Sequence, residues 1–409
     1  MRTDRPVFVI GCPRSGTTML QLMLHSHPRI AVPPENRFLL QAYFRRRLHG
    51  DMREAENRRG LAEWIATDRS TRFGELGLDR AAYVRRAVEG PGSLGSVIGE
   101  AFRAYAERFG KPRWGDKRPC YIRHVGALLR LFPDAQFVHL VRDGRDCVAS
   151  LKEMTWYKLD ILHAIATWAE AVDLGRRYAE TLPAGTFHEL RYEDLTADPH
   201  GELAKVCRFL GEEFDPAMCE PRRMATAAVP SHKVWHSNTH QEITQARVGS
   251  WITRLEPWEI ALCDSVLGGR LRARGYEPAG GPRPSVPRLL AYRRTAARRW
   301  LSLRKQRLRD QVNSRREPGP VAAMLTSGQL SLLTVPAPRA PFQESTPVPR
   351  LPFQESTPVP RLPFQESAPV PRVPFQDSAP VPRVPFQDGR SAADVREQGL
   401  PAVQDVLRP

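Results

Sequence analysis

Residues Val7 to Leu20, VFVIGCPRSGTTML, constrain the fold more than any other stretch of the chain. Val7 to Ile10 is a short, unbroken apolar run, the pattern of a strand covered on both faces. Gly11 to Gly16 then supplies two glycines, a proline and small polar residues. From Thr17 onward Met19, Leu20, Leu22, Met23 and Leu24 predict a mostly buried helix. Strand, glycine loop and helix start together turn backbone N–H groups and the positive end of a helix toward a phosphate or sulfate.

The chemistry of the loop narrows the ligand. A nucleotide-kinase loop places Lys and then Ser or Thr after its second glycine, the Lys for the phosphates and the hydroxyl for magnesium. In this chain Gly16 is followed by Thr17 and Thr18, and the cation, Arg14, lies inside the loop beside Ser15. Arg, amides and hydroxyls can hold an anion less charged than a triphosphate without a metal. The sequence shows no metal-holding signature elsewhere, so no metal is expected. The six cysteines form no C-x-x-C pair and no Cys/His cluster, which points to reduced core thiols. Cys12 lacks an Arg at tyrosine-phosphatase spacing after it, and small-residue packing is the expected role.

A second strand–turn–helix unit follows. Tyr121 to Phe132 carries a helical stripe at Ile122, Val125, Leu128, Leu129 and Phe132. Gln136 to Val141 is a second buried-type strand ending in Arg142-Asp143-Gly144-Arg145-Asp146, and a helix opens from Cys147. Leu159 to Leu182 predicts a long helix, Thr186 to Leu190 a third strand, and Pro199 to Leu210 a helix capped by Gly211. Lys111 to Pro119, KPRWGDKRP, is expected to be a polar loop. Asn36 to Arg47 is expected to be a helix led by a loop bearing Glu35, and residues 50 to 110 to be helical, carrying no evident chemistry. The fold class is therefore α/β, a P-loop NTPase-like central parallel sheet flanked by helices, with ligands at the C-terminal ends of the strands.

Three regions are expected: a catalytic domain over 1–280, a basic amphipathic helical extension over 281–317, and a Pro-rich disordered tail over 318–409. Between Arg283 and Arg316 there are twelve Lys or Arg against one acid, Asp310, which accounts for about eleven of the sixteen excess positive charges. Leu289, Tyr292, Ala296, Trp300 and Leu303 recur there at helical spacing. Such a helix can pack on the body, meet an acidic partner, or lie on an anionic membrane surface; nothing in it calls for nucleic acid. From Pro341 the unit PFQ(E/D)S(T/A)PVPR recurs every eleven residues, with three or four prolines that exclude helix and sheet interiors. The first strand begins within about six residues of Met1, leaving no room for a signal peptide, and no apolar run reaches the ~20 residues of a membrane span. A cytoplasmic enzyme, peripheral at a membrane if the basic helix binds one, is the expectation.

GCPRSGTTMLQLMLHSHPRI, then Glu35, then FVHLVRDGRDCVASL, resembles the PAPS-dependent sulfotransferases. The branch most similar contains the tyrosylprotein sulfotransferases and their bacterial relatives, and the resemblance covers about Val7 to Gly275. It implies that Arg14, Ser15, Gly16, Thr17 and Thr18 form the 5′-phosphosulfate loop and that Arg142 and Ser150 hold the 3′-phosphate of the adenosine. It places Glu35 where that branch has its general base and Lys117 where it has its catalytic lysine. Tyr192 matches a residue near the adenine. Ser237 to Trp251 matches the segment that closes over the nucleotide, with Ser250 standing where the eukaryotic branch has a lysine. The implied reaction moves a sulfuryl group from PAPS (3′-phosphoadenylyl sulfate) to a hydroxyl, less readily an amine, of a small-molecule, glycan or lipid acceptor. His25 and His27 are weighed as alternative bases and read as capping or packing the first helix; His139, within a strand, is read as a core residue. Two rival classes stay open: a P-loop small-molecule kinase, and a non-catalytic nucleotide-binding scaffold acting through the Pro-rich tail.

Overall fold

The structure is a computed structural model that describes residues 4–221 and 244–324. The eleven-residue repeats and residues 222–243, which include most of the polar stretch before Gly249, lie outside the described residues.

The elements, in order, are β1 (Val7–Gly11), α1 (Thr17–Ser26), β2 (Ile30–Ala31), α2 (Phe38–Phe44), α3 (Ala55–Thr67), α4 (Arg80–Glu89), α5 (Leu94–Glu107), β3 (Arg113–Lys117), α6 (Val125–Leu131), β4 (Gln136–Val141), α7 (Gly144–Lys152), α8 (Ile161–Thr181), β5 (Phe187–Arg191), α9 (Tyr192–Ala197), α10 (Pro199–Leu210), α11 (Trp251–Arg254), α12 (Pro257–Arg272) and α13 (Val286–Ser314). Among the described residues five strands form one parallel sheet in the order β2-β3-β1-β4-β5. From β1 the chain crosses to the edge strand β2, steps back to β3, and then passes to β4 and β5 on the other side, so the strand order switches beside β1, where open α/β sheets form their ligand crevice.

Both faces of the sheet are covered, which is why β1 and β4 are continuous apolar runs. Phe8 and Ile10 face a core with Trp114, Tyr121, Phe132 and Phe137, whose ring centroids lie 5.7–5.9 Å from that of Phe8. Val7 and Val9 face the opposite core, with Leu20, Leu24, Leu190 and Leu203. The α/β expectation is borne out, and α10 with its Gly211 cap (φ 76°) falls where predicted.

Lys111 to Pro119 is not a loop. Arg113–Lys117 is strand β3, wholly buried between β2 and β1. Its composition hid it, because its polar side chains are internally satisfied. Arg113 donates to Arg5 O (2.7 Å), Leu210 O (2.8 Å) and Gln136 Oε1 (2.5 Å) and pairs with Glu212 (3.2 Å). The Tyr121–Phe132 helix is also shorter than expected: a 3-10 turn over Pro119–Arg123 precedes α6.

The basic segment is helical, and α13 lies along the body. Tyr292 is buried, Arg299 pairs with Glu170 (3.0 Å), and Asp310 accepts from Tyr43 (2.9 Å) and pairs with Arg46 (2.7 Å). The chain stays on the body beyond the helix. Glu317 pairs with Arg46 and Arg130 (both 2.6 Å), Pro320 O and Val321 O accept from Leu94 N and Gly95 N, and Val321 is buried. Among the described residues no helix is long and apolar enough to cross a membrane.

Candidate active site

Four adjacent strands end in four chemically distinct groups. β1 runs into the glycine loop, β3 ends on Lys117, β4 is followed by Arg142, and β5 by Tyr192. Parallel pairing alone brings these groups together, since every strand ends on the same side of the sheet.

Backbone geometry shapes the loop. Gly16 has φ 94°, and a Cβ there would lie 2.6 Å from the Tyr192 ring. Arg14 holds φ 73°, a left-handed conformation that costs a non-glycine residue about 1–3 kcal/mol. In that pose Arg14 Nε donates to Ser150 Oγ (2.9 Å), and Arg14 O accepts from Arg142 Nη1 (3.3 Å). The strained residue thus joins the loop to α7 and to the end of β4. Thr17 and Thr18 open α1.

The loop is ringed by cations. Burial lowers the Arg14 pKa, and the charge of Arg142 lowers it further, with Arg254 and Arg247 adding to the effect. The Arg142 guanidinium lies 4.7 Å from the centre of the Tyr192 ring, donates to Arg247 O and pairs with Asp146 (3.3 Å). Asp143 pairs instead with Arg145 (2.8 Å). Arg142 Nε and Ser15 Oγ are buried with no hydrogen-bond partner among the described residues. Mutually repelling guanidinia beside two unfilled polar atoms suit an anionic ligand.

Glu35 and Lys117 meet on the other side of the loop. Lys117 Nζ lies 3.1 Å from Glu35 Oε2 and 3.3 Å from Thr18 Oγ1, while Arg118 Nε lies 3.6 Å from Glu35 Oε1. Lys117 is almost wholly buried and Glu35 is 30% exposed, so the carboxylate faces outward and the ammonium lies beneath it. The loop bearing Glu35 is fastened on both sides: Pro33 O accepts from Gln21 Nε2 (2.6 Å), and Asn36 Nδ2 donates to Asp116 Oδ1 (2.9 Å). Asp116 also accepts from Tyr121 Oη (2.5 Å) and Lys117 N (2.9 Å), and full burial pushes its pKa up to about 7.

Ser250 is turned toward a neighbouring carboxylate. Its hydroxyl donates to Asp146 Oδ1 (3.0 Å) and accepts from Arg254 Nη1 (2.9 Å), and Gly249 N and Trp251 N also donate to Asp146. The structure therefore brings Arg14, Arg142, Ser150 and Tyr192 into one cluster, and Glu35, Lys117 and Thr18 into an adjoining one. Sequence reasoning missed Arg118, Asp116, Arg247 and Arg254. The available signal was the placement of Arg247 and Arg254 on either side of Gly249-Ser250.

His25, His27 and His139 make structural contacts. His25 Nδ1 accepts from Val32 N, His27 Nδ1 accepts from Arg29 N, and His139 lies against Glu189 (3.0 Å). Cys12 and Cys147 are buried, and burial beside Cys12 pushes the Cys147 thiol well above its ordinary range. Packing accounts for Cys12, as expected.

A family model described as Sulfotransferase family matches residues 6–216. Protein-tyrosine sulfotransferase A of Caenorhabditis elegans is 24% identical over 288 residues, spanning 69% of this chain and 70% of that protein. The omega-hydroxy-beta-dihydromenaquinone-9 sulfotransferase Stf3 of Mycobacterium bovis is 32% identical over 110 residues, 23% of this chain and 28% of that protein. Among solved structures, the sulfotransferase domain of the Synechococcus PCC 7002 olefin synthase aligns with a TM-score of 0.44 at 24% identity, covering 63% of this chain and 90% of that one. The family match runs from the residue before β1 to beyond α10, taking in all five strands, the loop, Glu35, Lys117, Arg142 and Tyr192. By that match the chain belongs to the sulfotransferase family, whose reaction is the transfer of a sulfuryl group.

Proposed function

We propose that the chain transfers the sulfuryl group of PAPS to an acceptor hydroxyl by in-line displacement, with Glu35 as general base. One observation carries the reading: a single buried ammonium, Lys117 Nζ, touches both Glu35 (3.1 Å) and the loop hydroxyl of Thr18 (3.3 Å). Glu35 takes the proton of the acceptor hydroxyl as its oxygen bonds to sulfur. The bond between sulfur and the bridging phosphate oxygen breaks. Lys117, Thr17, Thr18 and the loop amides meet the charge that collects on that oxygen. Arg14 and Ser15 hold the phosphosulfate. Arg142 and Ser150 take the 3′-phosphate, Tyr192 lies near the adenine, and Ser250 belongs to the segment that closes over the nucleotide. Ser15 Oγ and Arg142 Nε, buried without a partner among the described residues, support a doubly anionic ligand at this place.

The acceptor is a hydroxyl of a small molecule, glycan or lipid. Relatives are named for a protein tyrosine and for a menaquinone derivative, and one fold hosts many acceptors. The test uses radiolabelled PAPS with a host extract, with and without chelator. Glu35→Gln abolishes labelling while PAP, the desulfated nucleotide, still binds. Turnover that persists in Glu35→Gln removes Glu35 as the base. Turnover only with ATP and magnesium replaces the reading with phosphoryl transfer, and nucleotide binding without any turnover replaces it with a scaffold.

A further inference from the structure

Helix α13 has two faces, and the body occupies one of them. Leu289, Tyr292 and Ala296 pack on the core, and Arg299 and Asp310 form ion pairs with it. On the far side Val286, Leu290, Leu301, Leu308 and Val312 are exposed, Leu301 by 58% and Leu308 by 59%. At about 100° per residue these five fall within roughly a quarter of the circumference, opposite Tyr292 and Asp310. Arg293, Arg294, Arg298, Arg304, Lys305 and Arg309 line or border the stripe, and none forms an ion pair with a described residue. Trp300 is exposed beside them, with the Arg304 guanidinium 4.9 Å from its ring centre.

The charge is concentrated in and beside this helix: residues 283–316 hold about eleven of the sixteen excess positive charges. Its single acid, Asp310, faces inward to Arg46, so the outer face carries no negative group. Residues 318–409 hold eight Lys or Arg and eight Asp or Glu, a net charge of zero.

We propose that the outer face of α13 is a docking surface for an anionic phospholipid bilayer. The apolar stripe sinks to the boundary between headgroups and acyl chains, and the flanking arginines and lysine reach back to lipid phosphates. A bilayer accounts for both features at once: exposed apolar residues on one face, spread over about 39 Å of helix from Val286 to Val312, and cations on both edges of that face. Pairing with a second copy through a two-fold would set Arg294, Arg304 and Lys305 against the same cations. A soluble acidic partner accounts for the charge and leaves the exposed leucines unexplained.

The test is flotation of the full chain with vesicles of phosphatidylcholine alone and of phosphatidylcholine mixed with phosphatidylglycerol. Binding to the anionic vesicles is expected to be at least about tenfold stronger and to weaken as salt is raised. Leu301→Glu with Leu308→Glu abolishes binding, and Arg304→Glu with Lys305→Glu abolishes the anionic preference. Circular dichroism and the thermal midpoint stay unchanged in both, because the four side chains are exposed. Equal binding to both vesicles, or binding unaffected by the leucine substitutions, overturns the proposal. So does a solution dimer that the leucine substitutions dissociate, or preference for polyglutamate over anionic vesicles. The proposal is independent of the sulfuryl-transfer reading: Glu35→Gln binds vesicles like the parent chain.

Discussion

Asn36 Nδ2 donates a 2.9 Å hydrogen bond to Asp116 Oδ1, and by that bond the loop carrying Glu35 is held against the strand carrying Lys117. Asp116 is completely buried one residue before Lys117, and its pKa is raised to about 7, first by loss of hydration and then by the charge of Glu35. A carboxyl whose folded pKa exceeds its unfolded value binds its proton more tightly when folded. Its contribution is therefore favourable in acid and is lost as pH rises from about 4 toward 7. Asp116→Asn keeps an acceptor for Asn36 and Lys117 N but has no proton to lose. Urea unfolding at pH 5 and pH 8 is expected to show the variant gaining stability relative to the parent chain at the higher pH. An equal difference at both values removes the titration of Asp116 from the account.

Gly16 and Gly126 are expected to respond to alanine with opposite signs. A Cβ at Gly16 meets the Tyr192 ring at 2.6 Å, with the backbone at φ 94°. Gly16→Ala should cost about 1–3 kcal/mol and weaken PAP binding, because the ring must leave its place beside Arg142. At Gly126, inside α6, a Cβ meets nothing within 4 Å. Gly126→Ala should raise stability by up to about 1 kcal/mol with binding unchanged. Thermal unfolding and PAP titration of the two variants check the contrast.

How far the sequence discloses this arrangement depends on which force forms each element. β1, β4 and α10 are legible because apolar runs, prolines and a capping glycine act locally. β3 is not, since RWGDK is held by partners distant in sequence: Arg5, Gln136, Leu210 and Glu212 for Arg113, and Asn36 for Asp116. The same limit applies to the cations around Arg14. Arg142 follows a recognisable strand, whereas Arg247 and Arg254 reach the site through a fold that brings Gly249, Ser250 and Trp251 onto Asp146. Two-faced amphipathicity in α13 is likewise hidden, because which stripe faces the body is decided by Arg46 and Glu170, outside the helix.

Arg113 and Glu212 form a pair buried to 0% and 1% side-chain exposure, at the seam between β3 and the end of α10. Arg29 adds a second bond to Glu212 (2.9 Å). Removing the acid leaves the Arg113 charge in the interior, hydrogen-bonded to the carbonyls of Arg5 and Leu210 and to Gln136. Glu212→Ala is therefore expected to cost about 3–5 kcal/mol. Because β3 delivers Lys117, activity should fall with it. Glu212→Gln, which keeps an acceptor but not the charge, should lie between. Denaturant unfolding of both variants tests the order, and an Ala variant within about 1 kcal/mol of the parent chain contradicts it.

Arg46 ties α13 to the body through two carboxylates, Asp310 at 2.7 Å and Glu317 at 2.6 Å, with its guanidinium 4.2 Å from the centre of the Tyr43 ring. The Arg46 side chain is 2% exposed, so its charge depends on those partners. Arg46→Ala removes the cation shared by Asp310 and Glu317, leaving Asp310 on Tyr43 Oη and Glu317 on Arg130. Asp310→Asn leaves a hydrogen-bonding group on Tyr43 and Arg46 but weakens the ion pair. The C-terminal half of α13 is expected to loosen in both, more in Arg46→Ala, by about 2–4 kcal/mol against about 1 kcal/mol. Hydrogen exchange over residues 300–314 should rise in that order while exchange in β1 and β4 is unchanged. If exchange rises uniformly through the sheet instead, α13 is part of one cooperative unit with the catalytic body.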